Sequence, residues 1–384
     1  MAGDFSLQKH YSHPQVQHWI KQFQRRPHDA QRLLARSEPV IWHLMQRTRA
    51  AAVPGELALL PAIESAFRLD ARSSQRAAGL WQFRAPTARQ FGLRISDWYD
   101  GRYDPIRSTD AAIRYLRYLH DLFDDWLLAV AAYNAGEGSV KRAIRKVAHA
   151  GAAVPFWKLP LPRETRHHVP RWLALAAIVD DPDGRDIPLP AVPNLPQTAR
   201  VKLDYQATLV SASTLSGAPL KRLQALNPGL RRDATDPQGP HELFLDAEHA
   251  GRLQAAIAAG RTPRISYRVH RVAAGDTLSE LAESSATTVA QLKQLNRLSS
   301  HRIRIGKELL LPVGLSRPST PRKPLPKGPD QHQRRLHTVA AGESLWTIAR
   351  RYDTTVRKLS YWNRLLASDT LRVGRELVVW VPQG

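Results

Sequence analysis

The sequence predicts an all-α domain over residues 55–181, followed by small α+β units of the order strand, helix, helix, strand. Three observations carry this. Nothing between residues 56 and 179 alternates apolar and polar with the period of a half-buried strand. Trp126 to Ala135 is apolar on every side, as a helix in the middle of a domain is. The last third of the chain repeats itself. Residues 272–298 read Val-Ala-Ala-Gly275-Asp276-Thr277-Leu278, then Leu281-Ala282, Thr287-Thr288-Val289, Leu292 and Asn296-Arg297-Leu298. Residues 339–365 return as Val-Ala-Ala-Gly342-Glu343-Ser344-Leu345, Ile348-Ala349, Thr354-Thr355-Val356, Leu359 and Asn363-Arg364-Leu365.

Taken in order, residues 1–54 form a polar, basic helical segment packed on the next domain. Trp19, Ile20, Phe23, Leu33, Leu34, Ile41, Leu44 and Met45 fall at helical spacings, which fits two or three helices. Pro54-Gly55 breaks the pattern. A helix from Glu56 to Phe67 delivers Glu64 near its end, and Pro61 predicts a kink or a short first turn. Residues 68–83 read as a loop and short helix, and Pro86 starts a helix that Gly92 ends. After the loop Tyr99 to Pro105, Ser108 or Thr109 caps a helix with Ala112, Ile113, Leu116, Leu119 and Phe123 on its apolar face. The apolar helix 126–135, a helix from Val140 to Ala150 and a connector from Pro155 to Pro162 follow. Arg163 to Val179 is the last helical stretch, broken or kinked at Pro170.

Residues 182–199 are a Pro-rich linker. Residues 200–262 begin like a strand, with helices expected at 215–226 and 247–259, and read as a degenerate third copy of the repeat. The two clear repeats span 267–313 and 336–382, separated by a basic Pro-rich linker at 314–335.

The 56 Lys and Arg residues outnumber the 34 Asp and Glu, and a net charge of +22 favours a polyanionic partner: nucleic acid, an anionic membrane surface or a carboxylate-bearing polymer. Nucleic acid is disfavoured, because the basic residues are scattered and not interleaved with aromatics. The absence of Cys excludes disulfides and Cys-ligated zinc. No apolar run reaches membrane-spanning length. The first ten residues have no apolar signal core, so the sequence reads either as cytoplasmic or as lacking its export signal.

The chemistry centres on Leu57-Ala58-Leu59-Leu60-Pro61-Ala62-Ile63-Glu64-Ser65-Ala66-Phe67, an apolar stretch with one ionisable group, Glu64. Burial would raise the pKa of that carboxyl and fit it for general-acid work. Ser73, Gln82, Tyr133 and Asn134 supply neutral hydrogen-bonding groups suited to a sugar polymer. Each has a plainer reading: Ser73 as a helix cap (with Ser74 one place away), Gln82 as a surface amide, Tyr133 as a core tyrosine, Asn134 as a cap on its own helix. Asp70 reads as a surface carboxylate, and Asp100 and Asp104 as loop-capping residues. His167 and His168 are adjacent, so their side chains diverge on a helix and do not form a metal site.

Glu64-Ser65, Gly79-Leu80-Trp81-Gln82 and Ala132-Tyr133-Asn134-Ala135-Gly136, in that order, resemble the soluble lytic transglycosylase domain. Glu56 to Ala66, Tyr99-Asp-Gly-Arg and Pro160-Leu-Pro-Arg-Glu164-Thr165 extend the resemblance to the membrane-bound lytic murein transglycosylase D family. The repeats resemble LysM modules. The resemblance implies a lysozyme-like catalytic domain followed by βααβ LysM modules, with Glu64 as the single acid/base. The reaction it implies is non-hydrolytic cleavage of the β-1,4 bond between N-acetylmuramic acid and N-acetylglucosamine, with no metal or other cofactor. It further implies peptidoglycan glycan strands as partner and a periplasmic place, with outer-membrane association; oligomeric state stays open. Ser73, Gln82, Tyr133 and Asn134 take substrate-binding roles in it. Gly275, Asp276 and Thr277, with Gly342, Glu343 and Ser344, take the glycan-contacting turns. Two departures stand out. Trp81 occupies a place where many relatives have Met, and His167-His168 one where many carry Tyr, so that His168 stands in for a hydroxyl donor. The rival readings are a hydrolytic muramidase on the same fold, which needs a second carboxylate facing Glu64, and a non-catalytic wall-binding protein, which has no use for Glu64.

Overall fold

The computed structural model describes residues 2–147, 154–261, 266–285, 287–313, 332–363, 365, 371 and 373–382. Residues up to 314 form one compact unit, and those from 315 onward form a second that is described by itself. Three helices open the chain: α1 (Pro14–Arg25), α2 (Pro27–Ser37) and α3 (Ile41–Ala50). Their apolar faces, including Val16, Ile20, Phe23, Leu34 and Leu44, belong to the main core. Glu56 ties the first residues down. Its Oε1 accepts from the N–H of Ser6 (2.9 Å) and Leu7 (2.6 Å) and from the Tyr11 hydroxyl (3.3 Å). Burial pushes the Glu56 carboxyl above its ordinary range despite these donors.

The stretch carrying Glu64 is not one helix. A 3-10 turn (Gly55–Leu59) gives way to a short α4 (Leu60–Glu64). Pro61 lacks the N–H that a continuous helix would need there. Ala66 and Phe67 then both adopt left-handed φ values, 53° and 56°, so the helix stops just beyond Glu64 and leaves it at an exposed edge of the core. The short helix expected in 68–83 is absent. That segment is a looped ribbon closed by the bridges Arg72↔Ala78 and Ala78↔Phe83.

After α5 (Ala85–Gln90) comes α6 (Pro105–Phe123). It starts earlier than the Ser108 or Thr109 cap predicts, because Asp104 accepts from the N–H of Ile106 and Arg107 and Pro105 takes the first helical position. Ser108 and Thr109 bond back to the carbonyls of Asp104 and Pro105. Next come α7 (Trp126–Ala135), α8 (Glu137–Val147) and α9 (Arg163–Asp180). The end expected for α8, Ala148 to Ala150, lies outside the described residues. α7 is buried from Leu127 to Ala132, and α9 runs unbroken through Pro170 to pack on α1, α4 and α7.

Three copies of one small unit follow. The first comprises β1 (Thr198–Lys202), α10 (Leu209–Ser216), α11 (Leu220–Leu226) and β2 (Glu242–Asp246), with α12 (Ala247–Ala258) added. The second comprises β3 (Ser266–Arg271), α13 (Leu278–Ser284), α14 (Val289–Leu295) and β4 (Glu308–Val313). The third comprises β5 (His332–Thr338), α15 (Leu345–Arg351), α16 (Val356–Asn363) and β6 (Glu376–Pro382). Each strand pair is antiparallel. The linker expected over 182–199 ends at β1, and that over 314–335 yields to β5 at His332; its residues 314–331 lie outside the described residues.

One asparagine locks each copy. Asn227, Asn296 and Asn363 each donate to the carbonyl four residues earlier and to a carbonyl on the closing strand, and accept that strand residue's N–H. Thr208, Thr277 and Ser344 cap the first helix of each copy in the same way. Asn363→Ala would strand both backbone groups of Val378. At about 1 kcal/mol per hydrogen bond, roughly 3 kcal/mol should be lost, a large share of what so small a unit commands. Calorimetry should show one transition moving down and the transition of the helical domain unmoved.

The first copy is docked on the helical domain, not strung from it. Asp104 pairs with Arg200 (2.7 Å), Glu242 with Arg107 (2.8 Å), Asp100 with Arg231 (2.9 Å) and Asp236 with Arg94 (2.5 Å). Backbone bonds Asp100 N–H to Gly229 O and Arg231 N–H to Trp98 O join the same surfaces, both at 2.8 Å.

Candidate active site

Glu64 sits at the last position of α4 with its side chain 12% exposed, covered but reachable. α9 packs across α4 and brings His168, 7% exposed, to 2.9 Å between Nε2 and Glu64 Oε1. His167 turns away and meets the edge of Trp19 at 5.9 Å, so the two histidines diverge as helix geometry requires. Three residues before His168, Thr165 donates its hydroxyl to Asn134 Oδ1 (2.7 Å), which fixes the amide at the end of α7. Asn134 does not cap its own helix, which closes at Gly136.

The loop 79–83 forms the next wall. Gly79 takes φ +78°, and a Cβ there would lie 1.8 Å from the Arg102 carbonyl oxygen. Only glycine fits. Ser65 donates its hydroxyl to Leu80 O (2.8 Å) and so pins this loop to the end of α4. Trp81 is fully buried, with Nε1 donating to Thr109 Oγ1 (2.8 Å), and serves packing. Gln82 has a left-handed φ of 50°, and its Nε2 donates to Gly79 O (2.8 Å) within the loop. Tyr133 donates its hydroxyl to Trp81 O (2.7 Å) and not to Glu64. Burial pushes the Tyr133 phenol far above its ordinary range, and the nearby charge of Glu64 pushes the same way.

Arg102 holds the ribbon from behind, donating to the carbonyls of Arg76 (3.0 Å) and Phe83 (3.3 Å) and to both Asp100 oxygens (2.9 and 2.8 Å). Burial pushes the Asp100 carboxyl up, but its bonds to Arg102 and Arg231 outweigh this and hold it below the usual carboxylate range. Asp70 is exposed and faces Arg68 at 3.2 Å. Ser73 accepts the Ala77 N–H (3.0 Å) and closes its own turn, with no bond to Glu64 and no helix to cap.

Glu64, Gln82, Tyr133 and Asn134 are thus joined through Trp81, Thr165, His168 and Ser65 into one bonded surface. Sequence reasoning offered His168 only as a stand-in for a hydroxyl donor, read Asp100 only as a loop cap, and assigned no role to Ser65 or Arg102. Each is separated by many residues from the group it positions, so no local signal marks them. In the repeats, the turn side chains serve the turns. Asp276 accepts from Ala273 N–H (2.7 Å) and pairs with His270 (2.6 Å), and Glu343 accepts from Ala340 N–H (2.8 Å) and pairs with His337 (2.8 Å). Val201 and Ala207, both buried, occupy these places in the docked copy.

A family described as Transglycosylase SLT domain matches residues 44–154, LysM domain matches 270–312 and 337–380, and the LysM-like domain of lytic transglycosylase MltD matches 197–262. Membrane-bound lytic murein transglycosylase D of Escherichia coli K12 is 33% identical over 361 residues, covering 90% of this chain and 77% of that protein. The protein of the same name from E. coli O6:H1 matches to the same extent. The crystal structure of lytic transglycosylase Slt from Pseudomonas aeruginosa aligns at 26% identity over 39% of this chain and 25% of its own, with a TM-score of 0.30. On the breadth of its identity with the E. coli proteins, the chain belongs to the membrane-bound lytic murein transglycosylase D family.

Proposed function

We propose that Glu64 carries both proton transfers of a peptidoglycan lytic transglycosylase. Protonated Glu64 gives its proton to the oxygen bridging N-acetylmuramic acid and N-acetylglucosamine, and that bond breaks. The substrate's acetamido group supports the positive anomeric carbon. Glu64, now a carboxylate, takes the proton of the muramoyl C6 hydroxyl as its oxygen bonds to C1. The product is a 1,6-anhydro end, Glu64 is protonated again, and no water is consumed.

The observation that supports this reading is the company Glu64 keeps. Its partner is a histidine, while Asp70, Asp100 and Asp104 are engaged by arginines and Glu56 by Ser6, Leu7 and Tyr11. Hydrolysis on such a fold normally uses a pair of carboxyls, so the same geometry disfavours the muramidase reading. Digestion of purified sacculi followed by mass spectrometry should give anhydro-muropeptides from the wild type; reducing muramic ends would favour hydrolysis.

The LysM modules hold the enzyme on the glycan. With Asp276, Thr277, Glu343 and Ser344 committed to their turns, we assign glycan contact to the exposed backbone at Gly275 and Gly342. The apolar side chains of Ile305 (72% exposed) and Val373 (68%), each just before a turn glycine, complete the contact surface. Ile305→Asp with Val373→Asp should lower retention on sacculi about tenfold in a pull-down and leave cleavage of short soluble glycans unchanged. We place the enzyme in the periplasm. The E. coli relatives are named membrane-bound, and no described helix here is long and apolar enough to cross a membrane. We propose outer-membrane association as well, which fractionation can test.

A further inference from the structure

We propose that His168 is a positioning residue: as a neutral imidazole it donates Nε2–H to Glu64 Oε1 and so reserves Oε2 for the travelling proton. The inference rests on Glu64 being the acid/base. Its basis is the 2.9 Å contact between two covered groups, together with the state of the other ring nitrogen. His168 Nδ1 is buried and has no hydrogen-bond partner among the described residues. A proton on Nδ1 would be a buried donor without an acceptor, in the imidazolium and in the Nδ1–H tautomer alike, and an imidazolium would carry a desolvated charge as well. The tautomer protonated on Nε2 leaves only an idle lone pair at Nδ1 and places its single N–H on the carboxyl.

That arrangement suits both halves of the reaction. Oε1 can accept from Nε2–H when Glu64 is a carboxylic acid protonated on Oε2 and when it is a carboxylate. The bond therefore persists through both proton transfers, and the carboxyl need not rotate between them. The elements packed on α9 carry few other titratable groups: His18, Lys21 and Arg25 on α1, Glu64 on α4, Tyr133 on α7 and Glu56 on the 3-10 turn. Glu56 is engaged by Ser6, Leu7 and Tyr11, Tyr133 by Trp81 O, and Glu64 is the group bonded to His168.

The test uses the full chain, with kcat and KM measured on soluble glycan strands. Glutamine can place an amide N–H where Nε2 stands and does not titrate; phenylalanine keeps the ring and loses the donor. His168→Gln should keep kcat within about threefold. His168→Phe should lower kcat on the order of 10²-fold with KM little changed. If the Phe variant does not fold, His168→Leu takes its place. A Phe or Leu variant as active as wild type would overturn the proposal, as would a Gln variant as slow as Phe. Wild type and Glu64→Gln run alongside. If wild type makes no anhydro ends, or Glu64→Gln still cuts, the fault lies with the Glu64 assignment and not with His168.

Discussion

Glu64→Gln is expected to abolish cleavage, with kcat falling at least about 10³-fold, while the protein stays folded and bound to sacculi. The amide occupies the same space, and its Oε1 can still accept from His168. What it cannot do is release a proton to the bridging oxygen or take one from the C6 hydroxyl. In the proposed mechanism the two steps use one group in two roles, so the loss falls on both. Sacculus binding depends on the LysM units, whose turns and asparagine locks lie in other parts of the chain. A pull-down and a turnover assay on the same preparation separate the two properties.

Gly79→Ala is expected to cost at least about 4 kcal/mol, among the largest effects available to a single methyl group. Two penalties add. The left-handed backbone at φ +78° costs a residue with a Cβ about 1 kcal/mol or more. The new carbon would also lie 1.8 Å from the Arg102 carbonyl oxygen. That carbonyl cannot retreat easily, because the Arg102 side chain is bonded to Asp100, Arg76 and Phe83. Relief must come from the loop, which carries Gln82 and the carbonyl that holds Tyr133. Thermal unfolding should show the loss, and whatever protein remains folded should be slow. Gly136→Ala makes the control: φ is +82°, but no described residue lies within 4 Å of the added carbon, so the backbone penalty alone should appear.

Much of this was legible in the sequence. The apolar run around Glu64, the wholly apolar α7 and the duplicated turn motif each report a local property, and local properties survive being read one window at a time. The degenerate third copy was legible because Asn227 sits where Asn296 and Asn363 do. The misreadings share a cause. The helix expected through Phe67 fails where Pro61 meets two left-handed residues that composition does not announce. Asp100 and Asp104 read as loop caps, and they do cap, yet their carboxylates also clamp the first LysM-like copy through Arg231 and Arg200. Those partners lie about a hundred residues away, beyond any periodicity. Tyr133, Ser73, Asp276 and Glu343 also carry bonds within the fold, which the sequence does not announce.

The source of the oxygen at the new C1 bond tests the account most directly. Sacculi digested in ¹⁸O-labelled water should yield muramoyl ends in the anhydro form carrying no label, because the attacking oxygen is the sugar's own C6 hydroxyl. Labelled reducing ends would show that water attacked, and Glu64 would then be half of a hydrolytic pair.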